Sequence, residues 1–343
     1  MSDASATERR KSEHLRICLE EPVGSADIGG PTTGLERWSF ENNSLPDLDL
    51  HDVDVSTDFL GRRLTMPLMI AGMTGGTVQA AELNRNLALA AQRLGIAMGV
   101  GSQRAALEDD SLAWTFRVRE YAPEIPLAAN LGVDQLEGDP GEMCMRAVEM
   151  IGADWLCLHL NPLQEALQPD GDPLFRYALD RIREVCRTCR VPVIVKEVGF
   201  GLSGDVVAQL ALAGVAAVDV AGTGGTSWAA VEGYRSEGAA RERAHLFRSW
   251  GIPTADAIVQ ASSQAPNTPV IGSGGIRTGL DMAKALALGA DITAAALPLI
   301  RAANESPEAV ERWCRARAEE LRTAMFAVGA GSIPMLRTTA LVM

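Results

Sequence analysis

The sequence predicts an α/β protein, a (β/α)8 TIM barrel over residues 66–343 with an N-terminal extension over residues 1–65 and a long insertion after the sixth strand. Three observations carry this expectation. From residue 66 onward, short runs rich in Val, Ile and Leu alternate with longer segments of helical periodicity, the pattern of βα units around a parallel sheet. The runs number eight, which closes such a barrel. Their carboxyl ends collect the polar and glycine-rich motifs, where barrels of this kind keep their chemistry.

Taken in order, the runs are MPLMIAGM ending at Met73, GIAMGVGS at Ser102, PLAANLG at Gly132 and WLCLHLN at Asn161. The remaining four are VPVIVKEVG ending at Gly199, AAVDVAG at Gly222, TPVIGSGG at Gly275 and ITAAALPL at Leu299. Between them, AAELNRNLALAAQRLG, DPLFRYALDRIREVC and GLDMAKALALGA read as helices. In the last, Leu280, Ala283, Leu286 and Ala287 are spaced to present one apolar face to the sheet. The stretch from Gly222 to Thr268 is the longest connection and is expected to hold two helices and a loop over the barrel mouth. Ahead of the barrel, GSADIGGPTTG and the strand-like DVDVSTDFLG read as an ordered, loop-rich extension.

The composition narrows the function. Hydrophobic residues make up 47% of the chain and charged residues 22%, which suits a globular protein with a large core. With 31 Lys and Arg against 44 Asp and Glu the net charge is −13, the wrong sign for a nucleic-acid partner, so an anionic ligand needs a local basic patch. The six cysteines suit a reducing cytoplasm, and the one close pair, Cys186 and Cys189, has no second pair to complete a zinc site. The polar start MSDASATERRKSEH does not read as a signal peptide, and Asp291 interrupts the most apolar stretch, so no membrane span is expected.

At the strand ends stand Met73-Thr74-Gly75-Gly76, Ser102-Gln103-Arg104, Asn130, then His159 and Asn161 two apart on one side, with Gln164 and Glu165 a turn later. Lys196 and Glu197 follow on the fifth strand; alternation sends them to opposite faces, so one of the two is structural. The segment GSGGIRTG, with Ala296 and Leu297 at the next strand end, lies where this fold holds phosphate on backbone amides. Gly222-Thr223-Gly224-Gly225-Thr226 is placed to add hydroxyls to the same phosphate or to a flavin ring. Trp228 and Glu232, four apart, share a helical face.

In this order the motifs RKSEH, TTGLE, DVDVSTDFLG, MTGG, GSQR, ANLG, HLNPLQEALQPDGD, VIVKEVGFG, AGTGGTSWAAVE, WGIPTA, GSGGIRTG and ELRTAMF closely resemble those of the type 2 isopentenyl-diphosphate isomerases, over nearly the entire chain. The resemblance implies reversible isomerisation of isopentenyl to dimethylallyl diphosphate with reduced FMN as acid and base, NADPH as reductant and Mg2+ on the diphosphate. It implies flavin contacts at Gly72, Met73, Thr74, Ser102, Asn130, Lys196, Thr226, Gly275, Arg277, Ala296 and Leu297. Substrate contacts fall on Arg10, Lys11, Ser102, Gln103, Arg104, His159 and Gln164, and the magnesium ligand on Glu165. Gln164, Lys196, His159, Glu232 and Trp228 become the candidate catalytic residues, and the assembly a homo-oligomer, possibly an octamer. Two positions depart from the pattern: Asn42 stands where a histidine is expected, and ANLG continues into Val133-Asp134 where smaller or apolar residues are expected. An FMN-dependent 2-hydroxy-acid oxidase or dehydrogenase shares the barrel but needs a histidine base, and AGTGGTSW offers none. A non-catalytic phosphate-binding barrel leaves HLNPLQE and Lys196 without a task.

Overall fold

The structure, a computed structural model, describes residues 6–136, 138–169 and 171–343. Eight parallel strands close into a barrel: β1 Leu68–Ile70, β2 Ala97–Gly99, β3 Leu127–Gly132, β4 Trp155–His159, β5 Val193–Lys196, β6 Ala217–Asp219, β7 Val270–Ser273 and β8 Ile292–Ala295. Each is short because only the barrel wall has to be spanned, and each is buried on both faces, hence the β-branched and small apolar runs. The eighth run stops earlier than expected: Pro298 presets the first turn of a helix over Leu297–Ala303.

The barrel interior holds Met69, Ala97, Ala128, Trp155, Ile194, Ala217, Ile271 and Ile292. Its amino-terminal end is plugged by the hairpin Thr57–Phe59 and Arg62–Leu64, where Phe59 meets Trp155 edge-on at 5.6 Å between centroids. A second apolar shell joins strands to helices, and Leu15, Ile17, Val23, Leu35 and Val53 of the extension belong to it. The extension is thus packed into the barrel's own core. It also contains a helix over Ala6–Glu20 that the loop-rich reading lacked.

Three further readings are corrected. The connection after β6 carries three helices, Trp228–Arg235, Gly238–Leu246 and Thr254–Gln264, instead of two. After β4 a short helix, Pro162–Leu167, comes first, and the helix expected from Asp172 begins only at Ala178, because Tyr177 takes φ 64° and breaks the run. In the helix Gly279–Ala287 the buried face is Met282, Ala283, Ala285 and Leu286, while Leu280 is exposed. Cys186 and Cys189 are free, as are the other four cysteines, and burial raises both thiols. Among the described residues no helix is long and apolar enough to cross a membrane.

Candidate active site

The strand ends and the loops after them line one deep cleft at the carboxyl end of the barrel. Parallel pairing sets Gly132 against His159, His159 against Lys196 and Lys196 against Asp219, so these residues lie on one rung and their side chains share a face. Lys196 lines the cleft and donates from Nζ to Glu197 O at 2.5 Å. Its neighbour Glu197 is the structural one of the pair: the backbone N–H groups of Val198, Gly199 and Phe200 all donate to Oε2, holding the turn that follows β5. Burial raises the Asp219 carboxyl while the Lys196 charge and the Ser273 hydroxyl oppose it.

His159 is neutral here, and its tautomer follows from its partner. Asn130 Nδ2 donates to Val100 O at 3.0 Å, which turns Asn130 Oδ1 toward His159 Nδ1 at 2.9 Å. Nδ1 therefore carries the proton and Nε2 keeps its lone pair. Burial, then the charges of Lys196 and Lys11, push the imidazole down to about 3.

The helix Ala6–Glu20 lies over the mouth and brings two cations to it. Lys11 Nζ donates to Ser102 O at 2.6 Å and sits 4.8 Å from the centre of the Phe116 ring. Burial, with help from Arg10, pushes Lys11 down to about 7. Arg10 and Arg104 line the same cleft, Arg104 paired to Glu108 at 2.6 Å. On the far side a buried network joins three elements. Glu232, fully buried, accepts from His14 Nε2 at 2.9 Å, Gln164 Nε2 at 3.0 Å and Arg235 at 2.8 Å. Burial alone would raise this carboxyl, yet the His14 bond and charge, Gln164 and Arg235 hold it below the usual range. His14 also meets Trp228 edge-on at 5.2 Å.

The loops after β6 and β7 touch through their glycines. Gly274 and Gly275 have φ of 100° and 77°, and a Cβ on Gly275 would lie 2.5 Å from Gly224 O, so only glycine fits. Thr254 Oγ1 donates to Gly274 O at 2.6 Å and ties down the fold of the corner. Arg277, with Ala296 and Leu297, completes this side of the cleft. A backbone cradle that tolerates no side chain, beside a half-buried arginine, suits a phosphate. Together with Lys196, Asn130 and Thr226 it fits the phosphate and ring of FMN. A different donor set lies below Arg104: buried Glu165 accepts from Asn161 Nδ2 at 3.0 Å and from Asp172 N at 3.0 Å. The Glu165 carboxylate and the unpartnered Asn161 Oδ1 are hard oxygens of the kind that suit Mg2+.

Eighteen of the sequence-derived residues therefore line one cleft: Arg10, Lys11, Gly72, Met73, Thr74, Ser102, Arg104, Asn130, His159, Gln164, Glu165, Lys196, Thr226, Trp228, Gly275, Arg277, Ala296 and Leu297. Gln103 is a correction. Its side chain is buried away from the cleft, donating to Ala147 O at 2.8 Å and accepting from Asn130 N at 3.0 Å, so it braces β3. Glu232 is another: it lies behind Gln164 and His14 and does not face the cavity. His14, Asp219 and Ser273 were missed, although His14 closes the RKSEH motif; Asn161 was noted at its strand end but given no role.

This geometry, a (β/α)8 barrel with a glycine phosphate corner, a lysine on the fifth strand and a basic lid, defines the class of FMN-binding barrel enzymes. The model of the FMN-dependent dehydrogenase family matches residues 31–113 and 156–343. The isopentenyl-diphosphate delta-isomerase of Nostoc sp. is 48% identical over 98% of this chain and 96% of its own, and that of Synechococcus sp. 50% over 97% and 95%. The enzyme of the same name from Oceanobacillus iheyensis is 42% identical over 96% and 95%. The chain belongs to the isopentenyl-diphosphate delta-isomerase family, within the FMN-dependent dehydrogenase barrels. A solved structure of mandelate oxidase superposes with a TM-score of 0.65 at 18% identity, over 98% of this chain and 96% of that one, a likeness of fold.

Proposed function

We propose that this isomerase interconverts isopentenyl and dimethylallyl diphosphate by moving a proton on and a proton off the allylic unit, with reduced FMN in the glycine corner and Mg2+ at Glu165. Family membership supports the reaction class. The observation that carries the substrate is the convergence of Arg10, Lys11 and Arg104 over one mouth of a chain whose net charge is −13. A diphosphate is the kind of ligand that needs several cations and a metal ion together.

FMN, when bound and reduced, supplies electron density and an exchangeable ring proton facing the substrate. The chain's own residues do the rest. Lys196 sets a positive charge beside the flavin position and is itself held by Glu197 O and the Asp219 charge. Gln164 orients the hydrocarbon end: its Nε2 is fixed on Glu232, so Oε1 is turned to Asn161 and the cleft. Trp228 excludes water from that end, and His14 holds the tryptophan and Glu232 together. His159, its Nδ1 held by Asn130 Oδ1, lines the cleft and is placed to bind near the diphosphate.

NADPH is the reductant of this reading, and the extension, residues 1–65, its substrate-binding lid. Its setting is a cytoplasmic homo-oligomer, an octamer on the resemblance, and the free thiols suit that compartment. A 2-hydroxy-acid oxidation finds no histidine in the loop after β6, where Trp228 stands. The test is colour and reduction dependence. Protein purified with FMN should be yellow and turn over isopentenyl diphosphate only after anaerobic reduction; a colourless protein that takes up no FMN would overturn the reading.

A further inference from the structure

Two buried oxygens beside Glu165 have no hydrogen-bond partner, Asp134 Oδ1 and Asn161 Oδ1. Both residues are more than nine-tenths buried, Asp134 at 8% exposure and Asn161 at 3%. Their positions correspond, since Gly132 pairs with His159 and each of the two lies two residues beyond that rung. Asn161 gives its amide protons to Glu165 Oε1, at 3.0 Å, and to Gln164 Oε1, which leaves its own oxygen as a bare acceptor at the cleft. A Cβ on Gly132 would collide with Asp134 Oδ1 and lie 2.9 Å from both Gln135 Nε2 and His159 Nε2, so a carboxylate oxygen, an amide group and an imidazole lone pair crowd one small space. Among the described residues, the nearest cation able to offset these groups, Arg104, is already paired with Glu108 at 2.6 Å.

Buried, unpaired acceptors are costly, and a carboxylate buried in this way needs a counter-charge. A proton, a lysine or a metal ion would serve. Asp134 Oδ1, Asn161 Oδ1 and the Glu165 carboxylate are hard oxygen acceptors, and Arg104 already has its partner in Glu108, which leaves the chemistry of a divalent cation. We propose that Asp134 is a second carboxylate of the cation site at Glu165, with Asn161 Oδ1 as a neutral ligand, so that the enzyme binds a divalent cation before any diphosphate arrives. The inference rests on the assignment of Mg2+ to Glu165.

Ligand charge count sets the affinity of an oxygen site for a divalent cation. One carboxylate would leave the metal to be carried in by the substrate, whereas two hold it in the substrate-free enzyme. Free Mn2+ is counted by its electron paramagnetic resonance signal during titration of the FMN-loaded, substrate-free enzyme, in parallel for wild type, Asp134→Asn, Asp134→Ala and Glu165→Gln. Retained FMN absorbance reports that each variant is folded. Wild type should bind one Mn2+ per chain, competed by Mg2+, and both Asp134 variants and Glu165→Gln should each weaken it about tenfold or more. Normal binding by the Asp134 variants with loss in Glu165→Gln would overturn the role of Asp134 and leave the Glu165 assignment standing. No binding by wild type until inorganic pyrophosphate is added would also overturn the preformed site. Indifference of all three variants would remove the metal from this place altogether.

Discussion

Removing the Glu232 carboxylate should loosen the N-terminal helix and the site together. Glu232 is fully buried and accepts from His14, Gln164 and Arg235, so truncation to alanine strands one buried and two half-buried donors at once. Breaking a buried charged pair costs about 3–5 kcal/mol. Arg235 keeps its 2.9 Å bond to Glu13, which places Glu232→Ala toward the lower end of that range, about 3 kcal/mol. Glu232→Gln keeps the shape and loses only the charge, for about 1.5–3 kcal/mol. His14→Ala gives up one charge-assisted bond and the edge contact with Trp228, and its cost should overlap that of Glu232→Gln, with a coupling of about 1 kcal/mol in a double-mutant cycle. The sign with pH is fixed by the same contacts. A carboxyl held below its ordinary range in the folded state stabilises above the unfolded value near 4.5 and loses that contribution as pH falls below it, so wild type should lose more stability than Glu232→Gln between pH 5 and 3. Urea unfolding followed by tryptophan fluorescence measures all of these. A Glu232→Ala cost under about 0.5 kcal/mol, the scale of a surface substitution, would refute the network.

Three other outcomes follow from the site. Glu165→Gln should raise the Mg2+ concentration needed for half-maximal turnover about 10–100-fold while FMN stays bound, read from turnover against Mg2+; an unchanged requirement removes Glu165 from the metal. Lys196→Met should weaken FMN retention or lower the flavin reduction potential, seen by equilibrium dialysis and anaerobic titration, and wild-type values in both would return Lys196 to a purely structural place. Because burial pushes Lys11 down to about 7, kcat/KM should fall as pH rises through that value, and Lys11→Arg should move the alkaline limb up by a pH unit or more, since a guanidinium stays protonated; an unmoved limb would exclude Lys11.

What was legible in the sequence was local. Strands such as Val193–Lys196 and glycine corners such as Gly274-Gly275 announce themselves because alternation, β-branching and positive φ act over a few residues. The opposition of Lys196 and Glu197 also followed from alternation alone. Contacts across long separations did not. His14 and Glu232 are 218 residues apart, and their bond exists only because Leu15 and Ile17 bury the N-terminal helix against the barrel core. Gln103 sits in a motif full of cleft residues, yet the turn that caps the helix after it sends the side chain inward to Asn130 N and Ala147 O. Leu280 has apolar spacing but opens the helix after the Thr278 cap, on the side away from β7, while Met282 and Ala283 take the sheet.

Proton transfer at reduced flavin, without net redox change, is the chemistry proposed for this cleft. The protein, loaded with FMN and Mg2+ and reduced anaerobically with NADPH, is given isopentenyl diphosphate in deuterated water and followed by NMR beside an unreduced control. Dimethylallyl diphosphate should form in the reduced sample alone, with solvent deuterium in the new methyl group. Product forming equally in the unreduced control, or a reduced flavoprotein that leaves isopentenyl diphosphate unchanged, would contradict it.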